Sequence, residues 1–143
     1  MNQAEYKKIT EEKSPNSKLG VNMIKAFVVG GGICVLGEGI RQYFLWLSFS
    51  QEMTAAAVAI ILVFLSALFT GLGWYDDIGR FAGGGSLVPI TGFANAVVSP
   101  AIEYKSEGYI LGVGAKMFII AGPVLVYGII SSVIVGLIHF FFG

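Results

Sequence analysis

Polar and charged residues concentrate in one stretch, Gly71 to Gly108, although long apolar runs flank it on both sides. Polar groups inside a membrane need hydrogen-bond partners. A polar segment at that depth is therefore more often part of a solute pathway than without function. The candidate pathway or substrate residues in and just after this stretch are Asp76, Asp77, Arg80, Ser86, Thr91, Asn95, Glu103 and Lys116. The chemistry that these residue types predict is the passage of a charged or polar solute.

The residues give little support for catalysis, phosphate binding or metal binding. Adjacent Asp76 and Asp77 suggest an aspartyl dyad, but neighbours on a helix point ~100° apart and no second acidic motif lies within a span. The run AGGGS lacks the Lys-Ser/Thr of a phosphate-binding loop, which favours a packing turn. One cysteine, Cys34, and one histidine, His139, lie far apart and make no metal site. Since the formal net charge is also zero, we expect no enzymatic activity, no cofactor, no metal site and no nucleic-acid partner.

The composition is that of a membrane protein. Hydrophobic residues make up 55% and charged residues 13% of the chain, whereas soluble domains are about 25% charged. The polar residues 1–19 are predicted to form a tail, and residues 20–143 a single helical membrane domain. Five lysines precede or open the first apolar run, so the positive-inside rule predicts a cytoplasmic N-terminus.

The apolar runs predict the helices that must position the candidate residues. The first span is expected at Gly20 to Leu47 and the second at Thr54 to Thr70, with Thr54 as its N-cap. The last apolar run is too long for one ordinary span, so we expect a short segment over 108–121 and a final span over 123–142. The expected fold is an all-α polytopic membrane protein with about four transmembrane or re-entrant segments.

The central stretch is predicted to be a broken segment, because glycines free the backbone and prolines end or kink a helix. Thr91 and Asn95 lie four residues apart with Ser99 in register, so they form a thin polar stripe on one helix face. We expect this segment to re-enter the membrane or to cross it in broken form. The expected break or hinge positions are Gly83, Gly84, Gly85, Pro89, Pro100, Gly122 and Pro123.

Charged residues inside the apolar runs leave alternatives open. Glu38 and Arg41 are three residues apart, so they either pair on one helix face near the interface or both face a pore. Lys116 either extends to an interface or meets an acid of the central stretch.

The run GLGWYDDIGRFAGGGSLVPITGFANAVVSPAIEYKSEGYILGVGAKMFIIAGPVLVYG resembles the SpoVA membrane proteins of spore-forming bacteria. The likeness extends back through KAFVVGGGICVLGEGI and covers nearly everything after the tail. One position departs from the family pattern: the chain reads AGGG at Ala82 to Gly85, where AGAG is expected. Glycine in place of alanine adds backbone freedom at that turn.

The resemblance implies a component of the spore inner membrane that moves dipicolinic acid, with calcium, into the developing spore and out at germination. It further implies a channel subunit that works with other SpoVA proteins. The resemblance also implies that membrane tension is able to open this channel. The hydroxyl, amide and basic candidates suit the dipicolinate dianion, and the carboxylates suit calcium at the mouths. The alternative is a non-conducting scaffold subunit of the same complex. With so few spans, the chain is expected to form a homo- or hetero-oligomer in the lipid bilayer.

Overall fold

The computed structural model describes residues 18–142, so the predicted tail over residues 1–19 lies almost entirely outside the described part. Between residues 18 and 142 the chain is helical and forms no β-strand. A 3₁₀ turn, Tyr104–Glu107, and a π-helix, Tyr109–Gly114, precede the last α-helix. The α-helices are α1 Leu19–Trp46, α2 Gln51–Gly71, α3 Trp74–Ala82, α4 Gly84–Leu87, α5 Ile90–Glu103 and α6 Ala115–Phe142.

Three helical stretches are long and apolar enough to cross a membrane. They are α1 with 28 residues and mean hydropathy 1.9, α2 with 21 residues and 2.4, and Tyr109–Phe142 with 34 residues and 2.4. At about 1.5 Å per residue, even α2 is about 31 Å long and matches the ~30 Å hydrocarbon core of a bilayer. The predicted fold class, a helical membrane protein, is therefore confirmed.

The predicted start of α2 is wrong by one turn. Ser50 is the N-cap, and its side chain accepts a hydrogen bond from the backbone N–H of Met53 at 3.3 Å. This bond satisfies one of the amide donors that the first turn of a helix leaves free. Thr54, the predicted cap, lies inside the helix and is buried.

Two of the predicted breaks are also wrong. Pro100 lies inside α5, and Pro123 lies with Gly122 inside the continuous helix α6. A proline inside a helix lacks an N–H donor and crowds the carbonyl group four residues earlier. Membrane helices tolerate it because neighbouring helices, side chains and small backbone adjustments satisfy the freed groups. The last apolar run is therefore one long helical stretch rather than two segments.

The chain does break at the glycine run and at Pro89. Gly83 has φ +52°, a backbone conformation that favours glycine, and it separates α3 from α4. Pro89, with extended backbone, is the N-cap of α5. At Gly84 an added Cβ would meet nothing within 4 Å, so the alanine expected from the family pattern would fit there.

Helices α3, α4 and α5 form a hairpin that returns to the end of α2. Ser66 bonds to Thr91 and Thr70 bonds to Asn95, so positions along α2 and α5 advance together and the two helices run parallel. Because α3 starts just after the end of α2, the chain turns back through α3 and α4, and α5 then runs out again in the direction of α2. This geometry favours the re-entrant alternative, and we call α3–α5 the re-entrant hairpin.

Close backbone contact fixes the tip of the re-entrant hairpin on α1. A Cβ on Gly85 would collide with the carbonyl oxygen of Ala26, and a Cβ on Gly30 would lie 3.1 Å from the Gly85 carbonyl oxygen. Small residues at both positions let the two backbones approach, which is a common basis of helix packing in membranes.

The second half of α6 extends beyond the rest of the chain. Ala121 is buried, but the described residues from Pro123 to Phe142 are exposed. The re-entrant hairpin packs against only the first part of this helical stretch. Its helix α5 begins beside Ser66 of α2, where Ser66 bonds to Thr91. The fold therefore leaves an apolar half-helix without a neighbour in the described chain.

Candidate functional site

Four polar residues meet where α5 packs on α2, and we call this group the α2–α5 polar contact. The Ser66 hydroxyl donates to the Thr91 carbonyl oxygen at 2.5 Å. The Thr70 hydroxyl shares its proton between Asn95 Oδ1, at 2.8 Å, and the Ser66 carbonyl oxygen, at 2.7 Å. Each helix contributes residues four positions apart, which place both side chains on one face.

The predicted polar stripe of α5 thus faces protein rather than a water-filled path within this chain. Thr91 is only 7% exposed, Asn95 is half-buried, and Ser99 further along α5 is exposed. A serine inside a helix is able to bond to a carbonyl oxygen of its own helix, but the Ser66 hydroxyl reaches across to α5 instead. The arrangement is a closed contact whose polar groups satisfy one another.

One hydroxyl of this contact has no partner. Thr91 Oγ1 is buried and makes no hydrogen bond to any described residue. Leaving a buried donor unpaired costs about 1–3 kcal/mol. The Thr91 hydroxyl is therefore the member of the contact whose hydrogen-bonding capacity is unused among the described residues.

Ser86, another predicted pathway residue, is fully buried at the tip of the hairpin. Its hydroxyl donates to the Gly83 carbonyl oxygen at 3.1 Å, and its own carbonyl oxygen accepts a hydrogen bond from the Tyr75 hydroxyl at 2.8 Å. Both bonds hold the turn between α3 and α5 in place, so Ser86 has a structural part in this conformation.

The charged candidates lie on the exposed surface of the re-entrant hairpin and do not cluster. Asp76 pairs with Arg80, four residues later on α3, at 2.7 Å. Asp77 and Glu103 are exposed, at opposite ends of the hairpin sequence. Within residues 18–142 no group of three or more His, Cys, Asp or Glu residues is placed to hold a metal ion.

Among residues 18–142, Lys116 forms no ion pair with an acid of the central stretch. Its ammonium lies 4.3 Å from the centroid of the Tyr104 ring, a cation–π contact that stabilises a half-buried lysine. Lys25 on α1 makes the same kind of contact, 4.7 Å from the centroid of the Phe81 ring.

Glu38 and Arg41 form the ion pair that their spacing predicts. Arg41 Nε donates to one carboxylate oxygen of Glu38 at 2.8 Å and Nη2 to the other at 3.1 Å, and Gln42 adds a third bond at 2.6 Å. Both charges are neutralised on the surface of α1, which is the first of the two alternatives considered for this pair.

A cavity of about 550 Å³ lies between α1, α2 and α3, next to the polar contact. We call it the α1–α3 cavity. Its wall is apolar apart from a few polar groups, among them Thr91 and Ser66 from the polar contact. The lining residues are Val29, Gly32, Ile33, Leu36, Leu62, Leu65, Ser66, Phe69, Tyr75, Asp77, Ile78, Phe81 and Thr91.

Three of these features were missed from the sequence: the contacts of Ser66 and Thr70, the Lys25–Phe81 contact and the cavity. A signal existed for the first, because Ser66 and Thr70 have the same four-residue spacing as Thr91 and Asn95. Where two apolar helices each carry two polar residues at the same spacing, these residues are expected to contact each other, since buried polar groups need hydrogen-bond partners. The Lys25–Phe81 contact and the cavity depend on which helix faces touch. The spacing of residues within one helix does not predict this.

Taken together, three long apolar helices and a broken re-entrant hairpin define a polytopic membrane protein. The chain matches the model of the SpoVAC/SpoVAEB sporulation membrane protein family over residues 22–138. It is also 46% identical over 138 residues to stage V sporulation protein AC of Bacillus subtilis (strain 168), covering 96% of this chain and 92% of that protein. No solved structure matches the chain. The protein belongs to the SpoVAC/SpoVAEB family, whose description is of a sporulation membrane protein and names no enzymatic activity.

Proposed function

We propose that this protein is a channel subunit that carries dipicolinic acid, with calcium, across the spore inner membrane. Transport would run inward during sporulation and outward during germination, with other SpoVA proteins as partners and the N-terminus in the cytoplasm. Membership of a family of sporulation membrane proteins supports the setting. The five lysines in or before the first part of α1 support the orientation.

The observation that carries the transport role is the α2–α5 polar contact. Hydroxyl and amide groups are costly among apolar helices, and such groups within membrane segments mark pathways more often than they serve packing alone. In the closed contact Thr91 is buried and Asn95 is bonded to Thr70. In our proposal α5 separates from α2 in the open state, so that these groups face the solute.

The chemistry of the solute fits this surface. Dipicolinate is a dianion, so an unassisted crossing meets a large desolvation cost. Hydroxyl and amide donors replace part of its hydration, and Arg80 and Lys116 supply positive charge along the re-entrant hairpin and the start of the last helix. The exposed carboxylates of Asp77 and Glu103 suit calcium at the mouths, because hard cations take oxygen ligands.

Membrane tension is the stimulus in this proposal. The re-entrant hairpin contacts α1 at its tip and through Phe81 of α3. It contacts α2 through Trp74 of α3 and along one face of α5. In this proposal a sideways pull on α2 or α6 acts on the α2–α5 polar contact, because α5 packs on α2 and is joined to α6 through a short 3₁₀ turn and a π-helix.

The test is efflux of calcium dipicolinate from liposomes that hold only this protein, after hypo-osmotic shock. We expect release above that of empty liposomes, lost in the double variant Thr91→Val, Asn95→Leu. The matched control is the double variant Ser131→Val, Ser132→Val, which removes two hydroxyls from the exposed half of α6. Unchanged release from the first variant, at equal protein insertion, would refute the role of the polar contact.

A second function, a non-conducting scaffold of the same complex, is favoured by the exposed second half of α6. A half-helix that is mostly apolar and has no neighbour in the described chain suits assembly with other subunits. If the purified protein alone gives no release while co-reconstitution with other SpoVA proteins does, and if the double variant leaves that release intact, the scaffold function holds.

A further inference from the structure

The α1–α3 cavity combines an apolar body with one charged end. Ile33 and Leu36 from α1 face Leu62 and Leu65 from α2 along its length. Its volume of about 550 Å³ lies within the range of about 300–1,000 Å³ that is usual for small-molecule sites. Leu36 and Phe81 on its wall are 47% and 56% exposed, so the cavity is reached from the side of the molecule that faces the membrane.

A cation and a carboxylate stand at the α3 end of the cavity. The Lys25 ammonium lies 4.7 Å from the centroid of the Phe81 ring, and Phe81 is part of the cavity wall. Asp77, one turn before Phe81 on α3, also lines the cavity and is exposed. Among residues 18–142 neither charge is in an ion pair.

The buried Thr91 hydroxyl adds a hydrogen-bonding group to the wall. Its Oγ1 has no partner among the described residues, and Thr91 lines the cavity. A purely apolar occupant would leave this donor unpaired at a cost of about 1–3 kcal/mol, whereas an occupant with an ester oxygen would satisfy it.

We propose that the α1–α3 cavity binds one phospholipid of the membrane with an ethanolamine head group. The acyl chain lies between Ile33 and Leu65, an ester oxygen accepts from Thr91, the phosphate meets Lys25 and the head-group ammonium meets Asp77. Basic pockets between membrane helices bind lipid phosphates by the same attraction. Lipid binding does not require conduction, so the test of this proposal is independent of the test of the proposed function.

Two neighbouring glycines on α1 provide a matched test. A Cβ on Gly31 or on Gly32 would meet nothing within 4 Å, but only Gly32 lines the cavity. Gly32→Leu therefore fills the cavity without a backbone collision, and Gly31→Leu places the same side chain elsewhere. Lys25→Gln and Lys116→Gln form a second pair, because both lysines stack on an aromatic ring and only Lys25 contacts the cavity wall.

The experiment uses the full chain, reconstituted in vesicles of phosphatidylethanolamine and phosphatidylglycerol in equal parts and then extracted in mild detergent. Native mass spectrometry measures the fraction that retains one phosphatidylethanolamine. A photoreactive analogue with a diazirine on one acyl chain then maps the bound chain to tryptic peptides. We expect the retained fraction to fall several-fold in Gly32→Leu and in Lys25→Gln, and to stay at the wild-type level in Gly31→Leu and Lys116→Gln.

The proposal is overturned if Gly32→Leu and Gly31→Leu retain the same lipid fraction. It is also overturned if the photoreactive chain labels the exposed half of α6 as strongly as the cavity peptides. If Gly32→Leu instead breaks a complex between copies of the chain while lipid retention is unchanged, the occupant is a partner helix and not a lipid.

Discussion

The contact of Gly85 with Ala26 allows a sharp test of how the re-entrant hairpin is held. A Cβ at residue 85 would collide with the Ala26 carbonyl oxygen and would lie 2.6 Å from Cα and 2.7 Å from the carbonyl carbon of that residue. Ordinary contacts of a Cβ begin at 3.4 Å, so Gly85→Ala forces the backbones of α4 and α1 apart. Overpacking of this kind costs about 1–3 kcal/mol.

The expected result is a lower thermal midpoint of the purified protein in detergent. At about 4 °C per kcal/mol for a chain of this size, the midpoint for Gly85→Ala falls by roughly 4–12 °C. The control is Gly84→Ala one residue earlier, where a Cβ would meet nothing within 4 Å. Alanine is favoured over glycine in helices by about 0.5–1 kcal/mol, so this control keeps or raises the midpoint. Equal midpoints for the two variants would show that α4 does not pack on α1 as described.

Three further predictions follow from the α2–α5 contact and the hairpin. Asn95→Leu removes the bond to Thr70 and is expected to destabilise the protein by about 1 kcal/mol in chemical denaturation; no loss would mean that the bond is absent. Thr91→Val replaces a hydroxyl that has no partner, so in lipid-free detergent stability is kept or rises, and a loss would reveal a partner. The third prediction concerns membrane topology and uses a chain whose native cysteine is replaced by alanine. A membrane-impermeant maleimide is expected to react with Leu72→Cys and Ser106→Cys from one side of the membrane and with Ser50→Cys from the other. Labelling of Ser106→Cys together with Ser50→Cys would mean that the hairpin crosses the membrane.

The sequence predicts well those parts of the fold that depend on one segment at a time. The positions of α1 and α2 follow from long apolar runs, and the Glu38–Arg41 pair follows from spacing on one helix. The break at Gly83 follows from the conformational freedom of glycine, which a positive φ requires.

The errors arise where a neighbouring segment decides the outcome. Pro123 was expected to begin a new helix, but α6 continues through it because the rest of the helical hydrogen bonds suffice. A serine in a helix has its own backbone as a possible acceptor, yet α5 offers Ser66 the Thr91 carbonyl oxygen. A propensity describes one residue in its own segment and carries no information on which polar group the next helix brings into reach.

The strength of the α2–α5 polar contact bears directly on whether it is able to act as a gate. Two hydrogen bonds join the helices across the contact, from Ser66 to Thr91 and from Thr70 to Asn95. Bonds between membrane helices are worth about 0.6–1.7 kcal/mol each, so the pair contributes about 1–3 kcal/mol. This is the same size as a typical coupling free energy between allosteric sites. The two hydrogen bonds alone would therefore yield to a modest stimulus such as tension or a partner subunit, and the apolar packing of α5 on α2 adds the rest of the cost of separation. In the proposed function, a dry, purely apolar contact at the same place would offer the dianion no donors on opening, which would explain why the polar residues lie at this interface rather than on the lipid-facing side of α5.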